Sequence, residues 1–261
     1  MTAAKHAHSD ELTAPVEDYL KAIYEIERTA ASTGSPGHGE KAAGAGAGGG
    51  GRAAATTDIA HRLAIAPASV SGMLRRLAEQ GLIRHERYRG VRLTDTGRRA
   101  ALRTIRRHRV IEAYLVQALG YSWDRVHEEA EQLEHSASDE LIDRMATAIG
   151  EPAVDPHGAP IPTREGAVDE RPLLRLAELA AGTQAKVVRV SDDDAALLRY
   201  LAELDIVPGA AFEVVAHAPF AGPVTIRTAG GERVLGRALS ERVLVEEKVL
   251  DSPGDALGDG S

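Results

Sequence analysis

The chain has 261 residues, with 31 Lys or Arg against 39 Asp or Glu, and it contains no cysteine. That length predicts two or three modest domains. The absence of cysteine excludes disulfides, iron–sulfur clusters, thiolate zinc sites and cysteine nucleophiles, so any metal must be bound by His, Asp, Glu or backbone oxygen. Because no apolar run is long enough to span a bilayer and none resembles a signal peptide, we expect a cytoplasmic protein without a membrane partner.

The formal charge of -8 is divided unevenly along the chain. Residues 57–111 contain 13 basic against 4 acidic residues, a balance of +9, whereas residues 112–261 contain 13 against 28, a balance of -15. A basic segment of this kind can neutralise phosphates. The sequence therefore predicts a nucleic-acid-binding module joined to acidic ones.

The first 55 residues combine a tail, one helix and a low-complexity segment. Residues 1–11 show no periodicity and predict a loose tail. From Glu11 to Glu27 the apolar residues recur at helical spacing, with Asp18 on the polar side. Residues 30–55 are rich in Gly, Ala and Ser and predict a flexible insertion, because this composition buries too little surface to offset its ordering entropy.

Residues 57–81 carry the pattern of two short helices joined by a tight turn, which predicts a helix-turn-helix. Thr56 or Thr57 is expected to cap the first helix, and Pro67 to begin the second, which Gly81 ends. The second helix exposes small residues that can enter a major groove, followed by two arginines that can reach phosphates. The predicted DNA-contacting residues of this segment are Ala66, Pro67, Ala68, Ser69, Ser71, Gly72, Arg75 and Arg76.

The segment after Gly81 predicts two short strands around a turn. The turn carries Arg87, Tyr88 and Arg89, which we interpret as the DNA-contacting tip of the wing of a winged helix. A solvated, Arg-rich hairpin on any small domain is the alternative interpretation.

Histidines and carboxylates recur at helical spacing in the middle of the chain. On a helix, side chains at i, i+4, i+7 and i+8 share one face, and from His127 to His135 that face would carry two imidazoles and two carboxylates. Another His/carboxylate pair lies on the preceding long helix, predicted from about Asp95 to Leu119. Such donors suggest a divalent metal, with solvated polar helices as the alternative. The candidate ligands are His108, Glu112, His127, Glu131, Glu134 and His135.

The C-terminal third changes in character after a Pro-rich tether. Before the tether, Ser138 is expected to cap a helix that ends at about Ile149. From Gln184 to Glu247, short strands separated by turn signals fit a small, partly open β-barrel.

Several motifs in chain order resemble the diphtheria toxin repressor family of metal-dependent regulators, and most closely its manganese transport regulator branch. They are D-Y-L-x-x-I-Y-E-I, the helix-turn-helix, the wing Y-R-G-V-R-L-T-D-T-G, the pair R-H-R-V-I-E and the cluster V-H-E-E-A-E-Q-L-E-H. The resemblance covers residues 11–163 and, more loosely, 173–247. It implies a homodimer that binds a double-stranded DNA operator and is not an enzyme.

The resemblance also implies the fold class, which is mainly α with small β parts. The expected domains are a tail at 1–11, a winged helix-turn-helix domain at 12–97 with the flexible insertion at 30–55, a metal-binding and dimerisation domain at 98–163, a linker at 164–172, an SH3-like small β-barrel at 173–250 and a tail at 251–261.

The candidate ligands fall into two sites by resemblance. One site would use Asp18, Glu131, Glu134 and His135, and the second His108, Glu112 and His127. Iron-responsive members have Met at the position of Asp18 and Cys at that of Glu131. This chain has hard carboxylate oxygens at both positions, so the resemblance implies Mn(II) as the cofactor, with Fe(II) as the alternative.

Three features depart from the family's pattern. The insertion at 30–55 is not typical of it. Lys21 stands where some manganese regulators have a glutamate ligand, which leaves the number of bound ions open. In the third domain Leu197 cannot ligate a metal, and we interpret Asp194 as a helix cap.

The sequence therefore predicts a metal-activated repressor. Metal would tie Asp18 to the segment from Glu131 to His135 and fix the winged domains of a dimer at the spacing of two half-sites. A metallohydrolase with the same ligands would need an open coordination position and a general base, and the chain has no H-E-x-x-H motif. A winged-helix protein that ignores metal would leave the ligand cluster unexplained.

Overall fold

The structure is a computed structural model that describes residues 12–32, 52–169, 171–191 and 194–248. None of the helices within these ranges combines the length and the apolar composition that a bilayer crossing requires. The chain divides into two compact units. The first unit comprises Met1–Leu119, Glu128–Ala153 and Pro160–Glu170, and the second comprises Gly120–His127, Val154–Ala159 and Arg171–Ser261.

In its described part, the first unit is built from helices and one hairpin. The helices are α1 (Ala14–Ser32), α2 (Thr56–Arg62), α3 (Pro67–Glu79), α4 (Asp95–Leu119), α5 (Val126–Leu133), which begins in the second unit, and α6 (Asp139–Ala148). The strands β1 (Ile83–Glu86) and β2 (Gly90–Leu93) pair antiparallel. The predicted helix-turn-helix and the hairpin that follows it are confirmed.

The core of the first unit lies between α1, the helix-turn-helix and α4. Its fully buried side chains include Leu20 and Ile23 of α1, Ile59 of α2, Leu77 of α3 and Ile105 of α4. Full burial of each such side chain contributes about 1.5–3 kcal/mol. Because α1 and α4 share this core, charged residues on the neighbouring faces of the two helices are held at fixed distances.

The helix caps of the first unit agree with the sequence in part. Ala55 occupies the N-cap of α2 and makes no side-chain cap, so the prediction of a Thr56 or Thr57 cap is wrong because both residues lie inside the first turn. Thr94 caps α4, since its hydroxyl oxygen accepts from the Gly97 backbone N–H at 3.1 Å. A side chain at Gly97 would meet the Leu82 carbonyl oxygen at 1.9 Å, so this close approach requires glycine.

The predicted flexible insertion at 30–55 is too long at its C-terminal end. Ala53 and Ala54 are 2% and 0% exposed. Ala54 forms two backbone hydrogen bonds with Val91, of 2.8 and 2.9 Å, and so adds a bridge to the wing. Residues 30–32 of the predicted insertion belong to α1. Residues 33–51 and both predicted tails lie outside the described residues.

The second unit is built around one antiparallel sheet. Its strands are β3 (Leu174–Arg175), β4 (Gln184–Val190), β5 (Ala211–His217), β6 (Val224–Thr228), β7 (Gly231–Leu235) and β8 (Val243–Glu247), in the order β3-β8-β4-β5-β6-β7. Two helices accompany it, α7 (Ala195–Glu203) and α8 (Arg237–Ser240). The predicted fold class, mainly α with small β parts, is confirmed.

Asp194 precedes α7 and caps it. Its Oδ1 accepts hydrogen bonds from the backbone N–H groups of Ala196 at 2.9 Å and Leu197 at 3.1 Å. The interpretation of Asp194 as a helix cap is therefore confirmed, since these bonds satisfy backbone donors of the first turn.

Candidate metal centre and DNA-binding surface

The predicted DNA-reading residues lie on the outer face of α3. Val70, Leu74 and Leu77 bury the opposite face, so helical periodicity turns the remaining positions to solvent. A side chain at Gly72 would have no heavy atom within 4 Å. A helix with small exposed groups can approach base edges closely. The exposed predicted residues are Ala66, Pro67, Ala68, Ser69, Ser71, Gly72, Arg75 and Arg76.

The wing tip is an exposed cationic turn. Arg87, Tyr88 and Arg89 are exposed, and the Arg87 guanidinium lies 4.9 Å from the centroid of the Tyr88 ring. Between the two strands, Arg92 Nε of β2 donates to Glu86 Oε1 of β1 at 2.6 Å. A cationic tip on a braced hairpin suits contact with phosphates.

Asp18, Glu134 and His135 come together between α1 and the end of α5. Each can offer one ligand atom, and these three atoms all lie within 4.8 Å of one another. His135 Nε2 is 2.9 Å from Asp18 Oδ1 and 3.5 Å from Glu134 Oε1. Glu134 is buried, whereas Asp18 and His135 are half-buried. Carboxylate oxygens and an imidazole are donors that suit a divalent first-row metal ion, so the residues present fit a metal.

Two of these donors, Glu134 and His135, directly follow the end of α5. The helix ends at Leu133, although the Glu134 backbone N–H still donates to the Ala130 carbonyl at 2.9 Å. The adjacent residues Glu134 and His135 then both reach the side chain of Asp18. The predicted helical face therefore does not extend to His135, because His135 lies beyond the helix.

His135 contacts two carboxylates of α1. Its Nδ1 donates to Glu17 Oε2 at 2.7 Å, while Nε2 faces Asp18. Burial lowers the pKa of His135, but the hydrogen bond to Glu17 and the charges of Asp18 and Glu134 outweigh burial and raise it. Burial raises the pKa of Asp18, although the charge of His135 opposes that change. The three carboxylates around His135 therefore favour a positive charge on its imidazole.

Lys21 places an ammonium group beside the cluster. Its ammonium donates to Glu134 Oε1 and Oε2 at 3.1 and 3.0 Å, and it lies 3.2 Å from His108 Nδ1 and 4.0 Å from Glu131 Oε1. The Lys21 side chain is only 12% exposed. Two unit charges about 4 Å apart interact by about 4 kcal/mol at an effective dielectric constant of about 20. The ammonium therefore opposes a second cation close to Glu134.

His108 and Glu112 form a buried pair on α4. His108 Nε2 donates to Glu112 Oε1 at 3.0 Å, and Nδ1 contacts Glu134 Oε2. Burial lowers the pKa of His108, but the charge of Glu112 and the hydrogen bonds to both carboxylates raise it. Burial raises the pKa of Glu134, but His108 and Lys21 outweigh burial and lower it.

Four of the seven predicted ligands lie outside the cluster of Asp18, Glu134 and His135. They are the α4 pair His108 and Glu112, together with Glu131 and His127. The Glu131 side chain is 57% exposed and lies near Lys21. His127 is one turn earlier on α5 and belongs to the second unit. The assignment of Glu131 and His127 as metal ligands stays a prediction.

Two charged residues beside the cluster, Glu17 and Arg107, were not predicted from the sequence. Glu17 is 8% exposed; its Oε1 accepts from Arg107 Nη1 at 3.3 Å, and its Oε2 accepts from His135. A signal was present, because Glu17 lies at helical spacing from the buried residues Leu20 and Tyr24 and therefore faces inward. Arg107 offered no such signal in a basic stretch.

Three family models match most of the chain. The N-terminal DNA binding domain of the iron dependent repressors matches residues 47–91, and their metal binding and dimerisation domain matches residues 94–163. A FeoA domain matches residues 174–247.

The iron-dependent repressor IdeR of Mycobacterium tuberculosis (strain ATCC 25618 / H37Rv) is 31% identical over 251 residues, which cover 91% of this chain and 99% of that protein. The chain belongs to the iron-dependent repressor family. The diphtheria toxin repressor of Corynebacterium diphtheriae (strain ATCC 700971 / NCTC 13129 / Biotype gravis) is 29% identical over 152 residues, 58% of each chain. The predicted resemblance is thus confirmed.

A solved structure described as a manganese-dependent transcriptional repressor in complex with manganese shares the fold of this family member. Its TM-score is 0.75 at 37% sequence identity, and the match covers 89% of this chain and 100% of that one. Iron-dependent and manganese-dependent repressors are therefore both similar to this chain. The family consists of DNA-binding transcriptional repressors, so the prediction that the chain is not an enzyme is confirmed.

Proposed function

We propose that this family member is a repressor whose DNA binding is activated by Mn(II) at Asp18, Glu134 and His135. The convergence of these three donors between α1 and the end of α5 supports the proposal. Hard carboxylate oxygens suit manganese, whereas thioether and thiolate ligands favour softer ions. The cluster contains two carboxylates and neither kind of sulfur ligand.

The donors connect two functional parts of the chain. A divalent ion supplies the charge that lets carboxylates and an imidazole share one site. Asp18 belongs to α1, which packs against α2, β2 and α4, whereas Glu134 and His135 belong to the segment matched as the metal binding and dimerisation domain. With the donors joined, α1 and the winged helix on it take a fixed position in each subunit of a homodimer, which sets the spacing of two DNA half-sites.

Lys21 favours one ion at this cluster. Its ammonium lies near Glu134, His108 and Glu131, which are the groups that a second adjacent ion would need. The Lys21 ammonium thus occupies the position where a second ion would bind. His108, Glu112 and His127 are proposed as a separate site.

The exposed residues of α3 and of the wing are proposed to contact the operator. The balance of +9 over residues 57–111 supports phosphate neutralisation. Arg89→Ala should reduce the slope of log affinity against log salt by about 1, because one phosphate contact is lost. Arg144→Ala on α6 is the matched control, since its side chain is 76% exposed and lies outside the basic stretch. An unchanged slope in Arg89→Ala would show that the wing does not contact DNA.

An anaerobic DNA-binding titration against each metal tests the choice of ion. The wild-type chain should bind DNA with Mn(II) and release it with EDTA. Asp18→Met should weaken the Mn(II) response and retain the Fe(II) response, because a thioether favours the softer ion. The control is Glu140→Gln, whose exposed carboxylate on α6 pairs with Arg144. If Asp18→Met kept its full Mn(II) response, Asp18 would not be a discriminating ligand and the Mn(II) assignment would be wrong.

A further inference from the structure

Glu17 is a buried carboxylate with both oxygens engaged. Oε2 accepts from His135 Nδ1 at 2.7 Å, and Oε1 accepts from Arg107 Nη1 at 3.3 Å. The residue is 8% exposed. Because one oxygen faces the imidazole and the other the guanidinium, Glu17 cannot rotate without losing one of its partners.

Arg107 continues this connection to α6. Its Nε and Nη2 each lie 3.0 Å from Asp139 Oδ1, at the first residue of the helix. Arg103 holds the same carboxylate, with Nη2 at 2.6 Å from Asp139 Oδ2. The Arg107 side chain is 8% exposed. A path of charged hydrogen bonds, buried at Glu17 and Arg107 and exposed at Asp139, therefore joins His135 to the start of α6.

We propose that Glu17 is a positioning residue of the metal centre. Through Nδ1 it orients His135 so that Nε2 faces Asp18 and Glu134, and through Arg107 it ties this ligand to α6. The inference rests on the proposed metal site. Metal-binding histidines usually donate their second ring N–H to a carboxylate, which fixes the tautomer and the ring orientation.

Glu17 is placed to support a ligand and not to be one. Its carboxylate contacts Nδ1 of His135, whereas Asp18 and Glu134 contact Nε2, the other ring nitrogen. The guanidinium of Arg107 balances its charge. Glu17 therefore contributes orientation to the centre with little added net charge.

Titration of Mn(II) into the full-length chain, followed by the electron paramagnetic resonance signal of free Mn(II), measures this role. Glu17→Gln should weaken Mn(II) binding by about 10-fold and Glu17→Ala by about 100-fold, because the amide oxygen still accepts from Nδ1–H whereas a methyl group cannot. Asp139→Asn, one link further away, should have a smaller effect than either. Glu140→Gln is the matched control on α6 and should bind as the wild type does.

The same substitutions in a His135→Ala chain separate positioning from a general structural effect. If Glu17 acts through His135, neither Glu17→Ala nor Glu17→Gln should weaken Mn(II) binding further in that background. An equal loss in both backgrounds would overturn the proposal, and so would wild-type affinity in both Glu17 variants. Glu17→Gln preserves side-chain volume and carries the test if Glu17→Ala does not fold.

The Mn(II) affinities of the variants would differ in another way if the proposed metal site itself were wrong. If His135→Ala bound Mn(II) as tightly as the wild type, the proposed metal centre itself would be wrong. If His135→Ala lost binding and the Glu17 variants did not, only the role of Glu17 would be wrong.

Discussion

Two histidines of the first unit carry the same candidate chemistry in different surroundings. The His108 side chain is 5% exposed, lies within α4 and contacts Glu112 and Glu134 through its two ring nitrogens. The His135 side chain is 19% exposed, follows the end of α5 and contacts two carboxylates of α1. Both histidines have a raised pKa because carboxylates surround them.

The two histidines differ in whether a metal ion from solvent can replace a proton on the ring. At His135 a proton on Nε2 can leave for an ion from solvent while Nδ1 keeps its bond to Glu17. At His108 the partners are buried, and Lys21 already supplies a cation. The ammonium of Lys21 therefore opposes a second ion on the Nδ1 side of His108, next to Glu134.

The largest expected difference in the free energy of unfolding is between substitutions of two carboxylates beside Lys21. Glu134→Ala should lower the free energy of unfolding by about 3–5 kcal/mol, because it leaves Lys21 and His108 buried without their shared partner. Glu131→Ala should cost less than about 1 kcal/mol, because that side chain is 57% exposed. Urea denaturation of the metal-free chains measures both. Similar losses in the two variants would show that Glu134 does not hold a buried network.

A smaller contrast is expected between the two histidines. His108→Ala should destabilise the metal-free chain by about 2–3 kcal/mol, since it removes one hydrogen-bond partner from each of the buried carboxylates Glu112 and Glu134. His135→Ala should change stability by less than about 1 kcal/mol, because the imidazole is partly exposed and Glu17 keeps its bond to Arg107. Thermal unfolding with and without EDTA separates folding from metal binding. The opposite order of stabilities would contradict the comparison.

The smallest expected effect is the change in Mn(II) affinity when the Lys21 ammonium is removed. Lys21→Gln should strengthen Mn(II) binding by about tenfold, because removing the ammonium removes its repulsion of the ion. It should also allow an additional ion to bind per chain. Lys186→Gln, an exposed lysine of the second unit, is the control. Calorimetric titration gives affinity and stoichiometry together, and unchanged values would show that Lys21 does not compete with metal.

Local patterns were sufficient to predict most of the fold. Val70, Leu74 and Leu77 recur at helical spacing and form the buried face of α3. The predicted caps Ser138 and Asp194 are confirmed. The Thr56 or Thr57 cap was wrong because two adjacent residues offer equally good caps and only the backbone decides where the helix begins. Propensity fixes such a boundary to within a few residues.

The metal centre was less predictable because its contacts are distant in sequence. Glu17 and His135 are far apart along the chain, as are Lys21 and Glu134, and no local pattern pairs them. The helical face predicted from His127 to His135 ends at Leu133, because α5 ends there. The burial of Ala53 and Ala54 was not predicted, because their sequence is that of a low-complexity segment. Their burial depends on the backbone hydrogen bonds between Ala54 and the wing.

The most direct test of the metal centre is DNA affinity as a function of Mn(II). Fluorescence anisotropy of the full-length chain would use a duplex selected from a random library in the presence of Mn(II). The affinity should rise with Mn(II) for the wild type and for Glu140→Gln, and it should not respond in Asp18→Ala or His135→Ala. Equal DNA binding by the wild type in EDTA, or a full Mn(II) response in His135→Ala, would contradict activation through this centre.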